Sequence, residues 1–298
     1  MRADSGPLLA AAQTDGYALP AFNVNNLETV QGIVAAAEAA ASPVILQISP
    51  GAIVYAGYET IRDLAFDAAT AASVPVIVHL DHCRDPFVVR RALADGFSSV
   101  MFDGSTLGYD ENAAMTRALA DEAHAAGAIL EGELGAIGGA EDSTLAGARE
   151  DVATPAEVAA FASATGVDIL APALGTLHRM PDESVEIDLE LLASLAQAAG
   201  RPLALHGASG VVQAQLPAAI AAGVRKVNIS SRVGRALADG IRAELDASGP
   251  VDLRRYLGAG RTAVQALGVE YMELCGSARR ALPTHATREL SRGLQEAE

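Results

Sequence analysis

The chain has no tryptophan, and its one lysine is Lys226; every other basic side chain is arginine. Aromatic residues make up 4 % of the chain. Large rings therefore cannot carry the core, and Ala, Val, Ile and Leu must fill it, as they do in layered parallel sheets. No Lys/Arg cluster stands out, and the formal net charge is −16. That balance argues against a nucleic-acid reader and fits a soluble cytoplasmic enzyme. If the substrate is an anion, its binding must come from local dipoles and a few arginines. The two cysteines, Cys83 and Cys275, make no CxxC and no disulfide framework, so two reduced cytosolic thiols are expected. No apolar run approaches the roughly 20 residues of a membrane span. The first twenty residues read as a poor secretory signal.

What is present is alternation. Eight short runs, several of them rich in β-branched residues, are "LPAFNV" (19–24), "PVILQIS" (43–49), "VPVIVHLD" (74–81), "SSVMFDG" (98–104), "ILEGELG" (129–135), "DILAPAL" (168–174), "PLALHGA" (202–208) and "KVNISS" (226–231). Ala-rich, helically periodic segments separate them. Several begin on a cap residue: Asn25 or Asn26, Asp85 before Pro86, and Thr154 before Pro155. Many end at glycine. Eight strand-then-helix units predict a (β/α)8 TIM barrel. An open doubly wound sheet is the runner-up, weakened because no GxGxxG follows the first strand. The expected organisation is one domain over 1–298, with the barrel at 15–250 and a C-terminal helical extension at 251–298. The Gly-rich, acidic stretch 136–153 reads as an active-site loop after the fifth strand.

Barrel active sites lie at the C-terminal ends of the strands. The polar residues that fall there include Asn23, Asn25, Ser49, Asp81, His82, Asp103, Glu131, Glu133, His178, His206, Asn228, Ser230 and Ser231. Three of the six histidines, His82, His178 and His206, share that rim. Three imidazoles with an open fourth position suit a catalytic zinc ion; the alternative is three hydrogen-bonded rim histidines. Asp81 is placed to act as general acid or base beside such a cation, or else only to orient a histidine. His79, earlier in the strand, reads as a packed core residue. The turns "HGASG" and "NISS" follow strands seven and eight, where barrels often bind phosphate through backbone N–H groups.

The segments "AFNVNNLETVQGIVAAAEAAASPVILQIS", "HLDH", "SVMFDGS", "EGELGAIGGAED", "GTLH", "LHGASG", "GVRKVNIS" and "CGS" occur in that order. With them the chain resembles, over essentially its whole length, the class II, zinc-dependent ketose-bisphosphate aldolases of the fructose/tagatose-bisphosphate type. The resemblance implies one catalytic Zn2+ on His82, His178 and His206, with Glu133 as an alternate or remote ligand. Another divalent metal is the alternative, and a monovalent cation can accompany it. Asp81 would protonate the aldehyde oxygen in condensation and deprotonate the C4 hydroxyl in cleavage. Glu141 would move the proton on the dihydroxyacetone phosphate carbon. Gly207, Ser209, Asn228 and Ser231 would cradle the donor phosphate, Asn25 and Ser49 would contact substrate, and Arg280 would reach the second phosphate across a subunit interface. A homodimer or homotetramer acting on a phosphorylated sugar in the cytoplasm is the implied setting.

Two positions depart from the family pattern. Arg179 follows His178 where a glycine is usual, and Arg232 stands where an acidic residue is usual. Both lie near the expected donor phosphate. Arg179 either replaces a backbone contact with a charge-assisted one or blocks the site; neutral drift on loops is the other account. Three readings follow: a ketose 1,6-bisphosphate aldolase; an aldolase for another phosphorylated ketose or deoxy-sugar acid, motivated by the two arginines; and a non-catalytic aldolase-like subunit, opposed by the intact His82, His178, His206 and Asp81. A Schiff-base mechanism is disfavoured because the only lysine, Lys226, precedes Asn228 and is expected away from the rim.

Overall fold

The computed structural model of the chain describes residues 1–135, 152–174, 185–247 and 251–281. Among these, eight parallel strands close into a barrel in sequence order. They are β1 (Leu19–Asn23), β2 (Val44–Ile48), β3 (Val76–Cys83), β4 (Ser99–Phe102), β5 (Ile129–Leu134), β6 (Ile169–Pro172), β7 (Leu203–Leu205) and β8 (Val224–Ile229). Helix α1 (Ser5–Asp15) precedes the first strand. Around the barrel run α2 (Leu27–Ala40), α3 (Pro50–Ala56), α4 (Tyr58–Ala71), α5 (Pro86–Ala94), α6 (Tyr109–Ala125), α7 (Pro155–Thr165), α8 (Leu189–Ala199), α9 (Leu216–Ala221) and α10 (Ser231–Asp246). The long α11 (Leu253–Leu274) follows and packs on α10 and α2. No helix among the described residues is long and apolar enough to cross a membrane.

Local sequence explains the helix starts. Asn26 caps α2 in a reciprocal capping box with Thr29. Thr154 does the same for α7 with Glu157, and Pro155 takes the first helical position. Asp85 accepts from the Phe87 N–H at the start of α5. Each cap satisfies donors that a helix leaves without internal partners.

Strand alternation divides the interior in two. One set of side chains, including Phe22, Leu46, Val78, Leu80, Val100 and Leu130, faces the surrounding helices in the main apolar core. The other set faces the barrel axis. Near the N-terminal end this inner set is apolar: Leu19, Ala21, Ile45 and Ile77 pack with Leu8, Ala12 and Tyr17, and Leu9 packs on Ile169, Ala171 and Ala204. Helix α1 therefore stoppers that end. Further along the same inward-facing rows the character changes to Asn23, Gln47, His79, Asp81, Glu131, Glu133, His206, Lys226 and Asn228, all buried. A polar layer thus rests on an apolar floor and faces the C-terminal rim.

Candidate active site

Strand β3 runs two residues beyond its expected end, to Cys83. Its register against β4 shifts between Leu80 and Cys83, and His82 has φ 45°. A left-handed conformation is uncommon for a residue with a Cβ, and such strain gathers at functional sites. Here it has a visible consequence. Simple alternation would send Asp81 and His82 to opposite faces, yet both contribute atoms to one cluster with His206.

The cluster is compact. His82 Nε2 and His206 Nδ1 are 2.7 Å apart, with the rings edge to face. The other nitrogen of each ring meets carboxylates. His206 Nε2 lies 2.6 Å from Glu131 Oε1. His82 Nδ1 lies 3.4 Å from Glu133 Oε2 and 3.8 Å from Asp103 Oδ2. Arg84 Nε donates to Asp103 Oδ2 at 2.8 Å from the rim. An imidazole that uses its outer nitrogen on a carboxylate and turns its inner nitrogen toward a shared point is the arrangement of a metal-ligating histidine. Two groups of donor atoms, Asp81–His82–His206 and His82–Asp103–Glu133, each lie within 4.8 Å of one another. The donor set of nitrogen and carboxylate oxygen fits a zinc-type divalent cation, and His82 belongs to both groups.

Asp81 is fully buried. Asn23 Nδ2 donates to its Oδ2 at 2.9 Å, and Asn228 Nδ2 approaches its Oδ1 at 3.4 Å. Burial by itself would raise this carboxyl. The positive neighbours, His82 first and then Lys226 and His206, overcome that and hold it below the ordinary aspartate range. Asp103 behaves alike: burial opposes ionisation, and the hydrogen bond and charge of His82, the Ser105 hydrogen bond and the Arg84 charge together outweigh it, so the carboxyl stays well below its usual value. For His82, burial would lower the imidazole, but the Asp81 charge and hydrogen bonds to Asp103 and Glu133 hold it well above its ordinary range. Burial, with Lys226 adding to it, pushes His79 down to about 3, and its Nδ1 is 2.7 Å from the Ser99 hydroxyl. His79 is a core residue, as expected, but inside the barrel one inward position below Asp81.

The phosphate-type turns lie side by side. Gly207, at φ 67°, turns the chain after His206 into a one-turn helix, a conformation that suits glycine. Ser209 Oγ accepts from the Ser230 N–H at 3.2 Å, and Arg232 Nε donates to the Ser209 carbonyl at 3.3 Å. These bonds join the β7 turn to the start of α10, whose first residue is Ser231. Ser49 caps α3, accepting from the Ala52 N–H.

Two expected site residues stand apart from this cluster. Asn25 is exposed, with its backbone N–H on the Thr29 hydroxyl; it is Asn23 that meets Asp81. Arg280 pairs with Asp15 at 3.1 Å and stacks over Tyr17, at the stoppered end of the barrel. Any contact from Arg280 to a substrate at this rim has to come from another copy of the chain. Glu141, His178 and Arg179 lie outside the described residues. Lys226 precedes Asn228 on β8, as expected, but its ammonium reaches up to the layer of the site: Nζ is 2.9 Å from both Glu131 Oε2 and Asn228 Oδ1. Glu131, Asp103, Gln47 and this reach of Lys226 carried no assignment in the sequence. The readable signal was that Glu131 and Glu133 lie two apart on one strand and so share its inner face.

Comparison with known proteins agrees with this geometry. The family described as fructose-bisphosphate aldolase class-II matches residues 4–280. A sulfofructosephosphate aldolase from Alkalicoccus urumqiensis is 36 % identical over 276 residues, covering 92 % of this chain and 96 % of that one. The crystal structure of the YdjI aldolase from Escherichia coli K12 superposes with a TM-score of 0.84 at 30 % identity, covering 95 % of this chain and 100 % of that one. A putative fructose-1,6-biphosphate aldolase from Coccidioides immitis gives 0.83 at 35 % identity, covering 92 % and 96 %. The chain therefore belongs to the class II fructose-bisphosphate aldolase family and is an aldolase, a carbon–carbon lyase.

Proposed function

We propose that the enzyme cleaves a phosphorylated ketose reversibly to dihydroxyacetone phosphate and an aldehyde, with a ketose 1,6-bisphosphate of the fructose or tagatose type as substrate. The observation that carries this reading is Asp81: a fully buried, ionised carboxylate gripped by Asn23 and held within reach of the His82–His206 pair. Cleavage requires a base at the C4 hydroxyl and a partner for the negative charge left on the donor fragment. Asp81 takes the C4 hydroxyl proton in cleavage and returns it in condensation. Asn23 and Asn228 fix its oxygens so that no side-chain reorganisation accompanies the transfer. His82 and His206, with Glu133 beside them and His178 as third histidine, would hold a divalent zinc-type cation, which would supply Lewis acidity. Gly207, Ser209 and the first turn of α10 at Ser231 receive the donor phosphate, since N–H groups and the helix dipole favour an anion there. Glu141 serves the proton on the donor carbon.

A second substrate reading has its own support. The relative from Alkalicoccus urumqiensis is named for a sulfofructose phosphate, which differs from a bisphosphate in carrying a sulfo group. Arg179 and Arg232, near the expected donor phosphate, bear on the anion held at that end and not on the sulfo group.

The test separates donor from acceptor. The purified protein is incubated with dihydroxyacetone phosphate in deuterated water, with and without chelator, and loss of the C3 proton signal is followed by NMR. Chelator-sensitive exchange supports the donor and the metal requirement. A panel of fructose and tagatose 1,6-bisphosphates and a sulfofructose phosphate then ranks substrates by kcat/KM. No exchange with zinc bound would overturn dihydroxyacetone phosphate as the donor.

A further inference from the structure

The chain's one lysine is fully buried inside the barrel. It stands in register with Ala204 on β7 and Leu19 on β1. The small side chain of Ala204, two residues below His206, leaves room for its four-carbon stem. Its ammonium donates to Asn228 Oδ1 and forms an ion pair with Glu131 Oε2, each at 2.9 Å. We infer that Lys226 is a positioning residue for the metal and acid–base site, setting through Glu131 which nitrogen His206 presents and through Asn228 which end of the amide faces Asp81. The inference rests on the reading of His206 as a metal ligand.

The reasoning is one of donor and acceptor roles. A lysine ammonium has three N–H donors and no acceptor. Asn228 must therefore turn its carbonyl oxygen down to Lys226, and its Nδ2 then points up. There Nδ2 lies 3.2 Å from His206 Nδ1 and 3.4 Å from Asp81 Oδ1. A reversed amide would put a carbonyl oxygen against the Asp81 carboxylate. In the same way, the carboxylate form of Glu131 is matched by the buried ammonium at Oε2, and its Oε1 accepts from His206 Nε2 at 2.6 Å. With its proton on Nε2, His206 keeps Nδ1 as an acceptor, the nitrogen that faces both Asn228 Nδ2 at 3.2 Å and His82 Nε2 at 2.7 Å. One charge below the site thus orders two groups within it. An ion pair placed here only to fill the barrel would have no such dependants, and a buried pair is often replaceable by apolar side chains without loss of stability.

Lys226→Met keeps the stem and removes the donors. Zinc affinity of the folded variant is measured by competition with a chromogenic chelator, alongside kcat and KM of the zinc-saturated enzyme. The expected result is zinc binding weaker by about 10–100-fold, the range seen when a group supporting a metal ligand is lost. A lower kcat at saturating zinc should accompany it, because the Asn228 amide no longer has a fixed orientation. Glu131→Gln removes the charge on the His206 arm and leaves the Lys226–Asn228 hydrogen bond in place, so its kcat at saturating zinc should exceed that of Lys226→Met. If Lys226→Met does not fold, Lys226→Met with Glu131→Gln removes both buried charges and is measured instead, with the same loss of zinc affinity expected. Wild-type zinc affinity and kcat in the folded variant would overturn the inference and leave the metal reading standing. A wild-type protein that takes up no zinc would overturn both.

Discussion

Asn23 Nδ2 and Asp81 Oδ2 lie 2.9 Å apart, although β1 and β3 are not neighbours in the barrel. Between them stands β2, whose Gln47 Nε2 bonds Asn23 Oδ1 at 3.1 Å and approaches Asp81 Oδ2 at 3.5 Å. Three inward-facing residues on three consecutive strands therefore make one hydrogen-bonded arc, at the level where the interior turns from apolar to polar. The arc fixes the carboxylate before substrate arrives, and preorganisation of that kind lowers the cost of reaching the transition state.

Asp81→Asn keeps the shape of the side chain and removes its capacity to accept a proton. The expected outcome is a kcat lower by about 10²–10⁴-fold, the usual worth of a positioned general acid–base group, with metal content close to that of the unaltered protein. Steady-state kinetics with metal analysis of the same samples checks both halves. Near-normal turnover in a zinc-loaded variant would remove Asp81 from the proton transfer.

Asn23→Ala leaves Asp81 in place without its nearest donor. A kcat loss of roughly tenfold, smaller than that of Asp81→Asn, is expected from loosened positioning. Steady-state measurement of kcat checks this; an unchanged kcat in Asn23→Ala would remove Asn23 from the positioning of Asp81.

The barrel was legible because its signals are local. Eight apolar runs, each followed by a helically periodic segment and several of those opened by a cap residue, are properties of neighbouring residues, and each run contains or overlaps one strand of the structure. His82 and His206 were also legible, since strand ends and rim positions follow from the runs. What escaped depends on register and reach. Asn23 and Asn25 look equivalent at the end of β1, and only the pairing of Asn23 with Gln47 and of Gln47 with His79 puts the first beside Asp81. Lys226 read as remote because sequence position measures where a Cα sits, not where a four-carbon stem ends. Alternation alone would point His82 away from Asp81, because it assumes an extended backbone, and φ 45° at His82 breaks that assumption. Arg280 comes from the resemblance as a contact across a subunit interface, and no sequence feature shows that the tail passes the stoppered end of the barrel.

Gly104→Ala tests how tightly the metal-facing strand is anchored. A Cβ there would lie 2.1 Å from Asn112 Oδ1, and Asn112 Nδ2 donates to the Glu133 carbonyl at 2.9 Å. The methyl must displace Asn112 and with it the bond that holds the end of β5. A loss of about 1–3 kcal/mol is expected for overpacking of this kind, together with weaker zinc binding through Glu133. Gly234→Ala is the control: a Cβ there meets nothing within 4 Å, and alanine in a helix interior should add about 0.5–1 kcal/mol. Thermal or chemical unfolding of both variants gives the comparison, and equal stabilities would show that Asn112 yields freely.

Zinc affinity should depend on pH through His82. In the metal-free protein its imidazole is held well above the ordinary range by Asp81, Asp103 and Glu133 despite burial, so it carries a proton near neutral pH. The sign for stability follows: a raised folded-state value contributes fully below the unfolded value near 6.5, and that contribution disappears as pH rises through the folded value. Asp103, held below its usual range, contributes in the other direction, above about 3.9, and loses its share as acid protonates it. Metal binding requires the neutral imidazole and must expel the His82 proton. Apparent zinc affinity is therefore expected to rise by about tenfold per pH unit while His82 remains protonated in the metal-free state, the effect of one displaced proton. Calorimetric titrations in two buffers of different ionisation enthalpy should report release of about one proton per zinc at neutral pH. His82→Asn, which cannot carry that proton, should flatten the pH dependence as well as weaken binding. A slope unchanged in His82→Asn would assign the proton to another ligand.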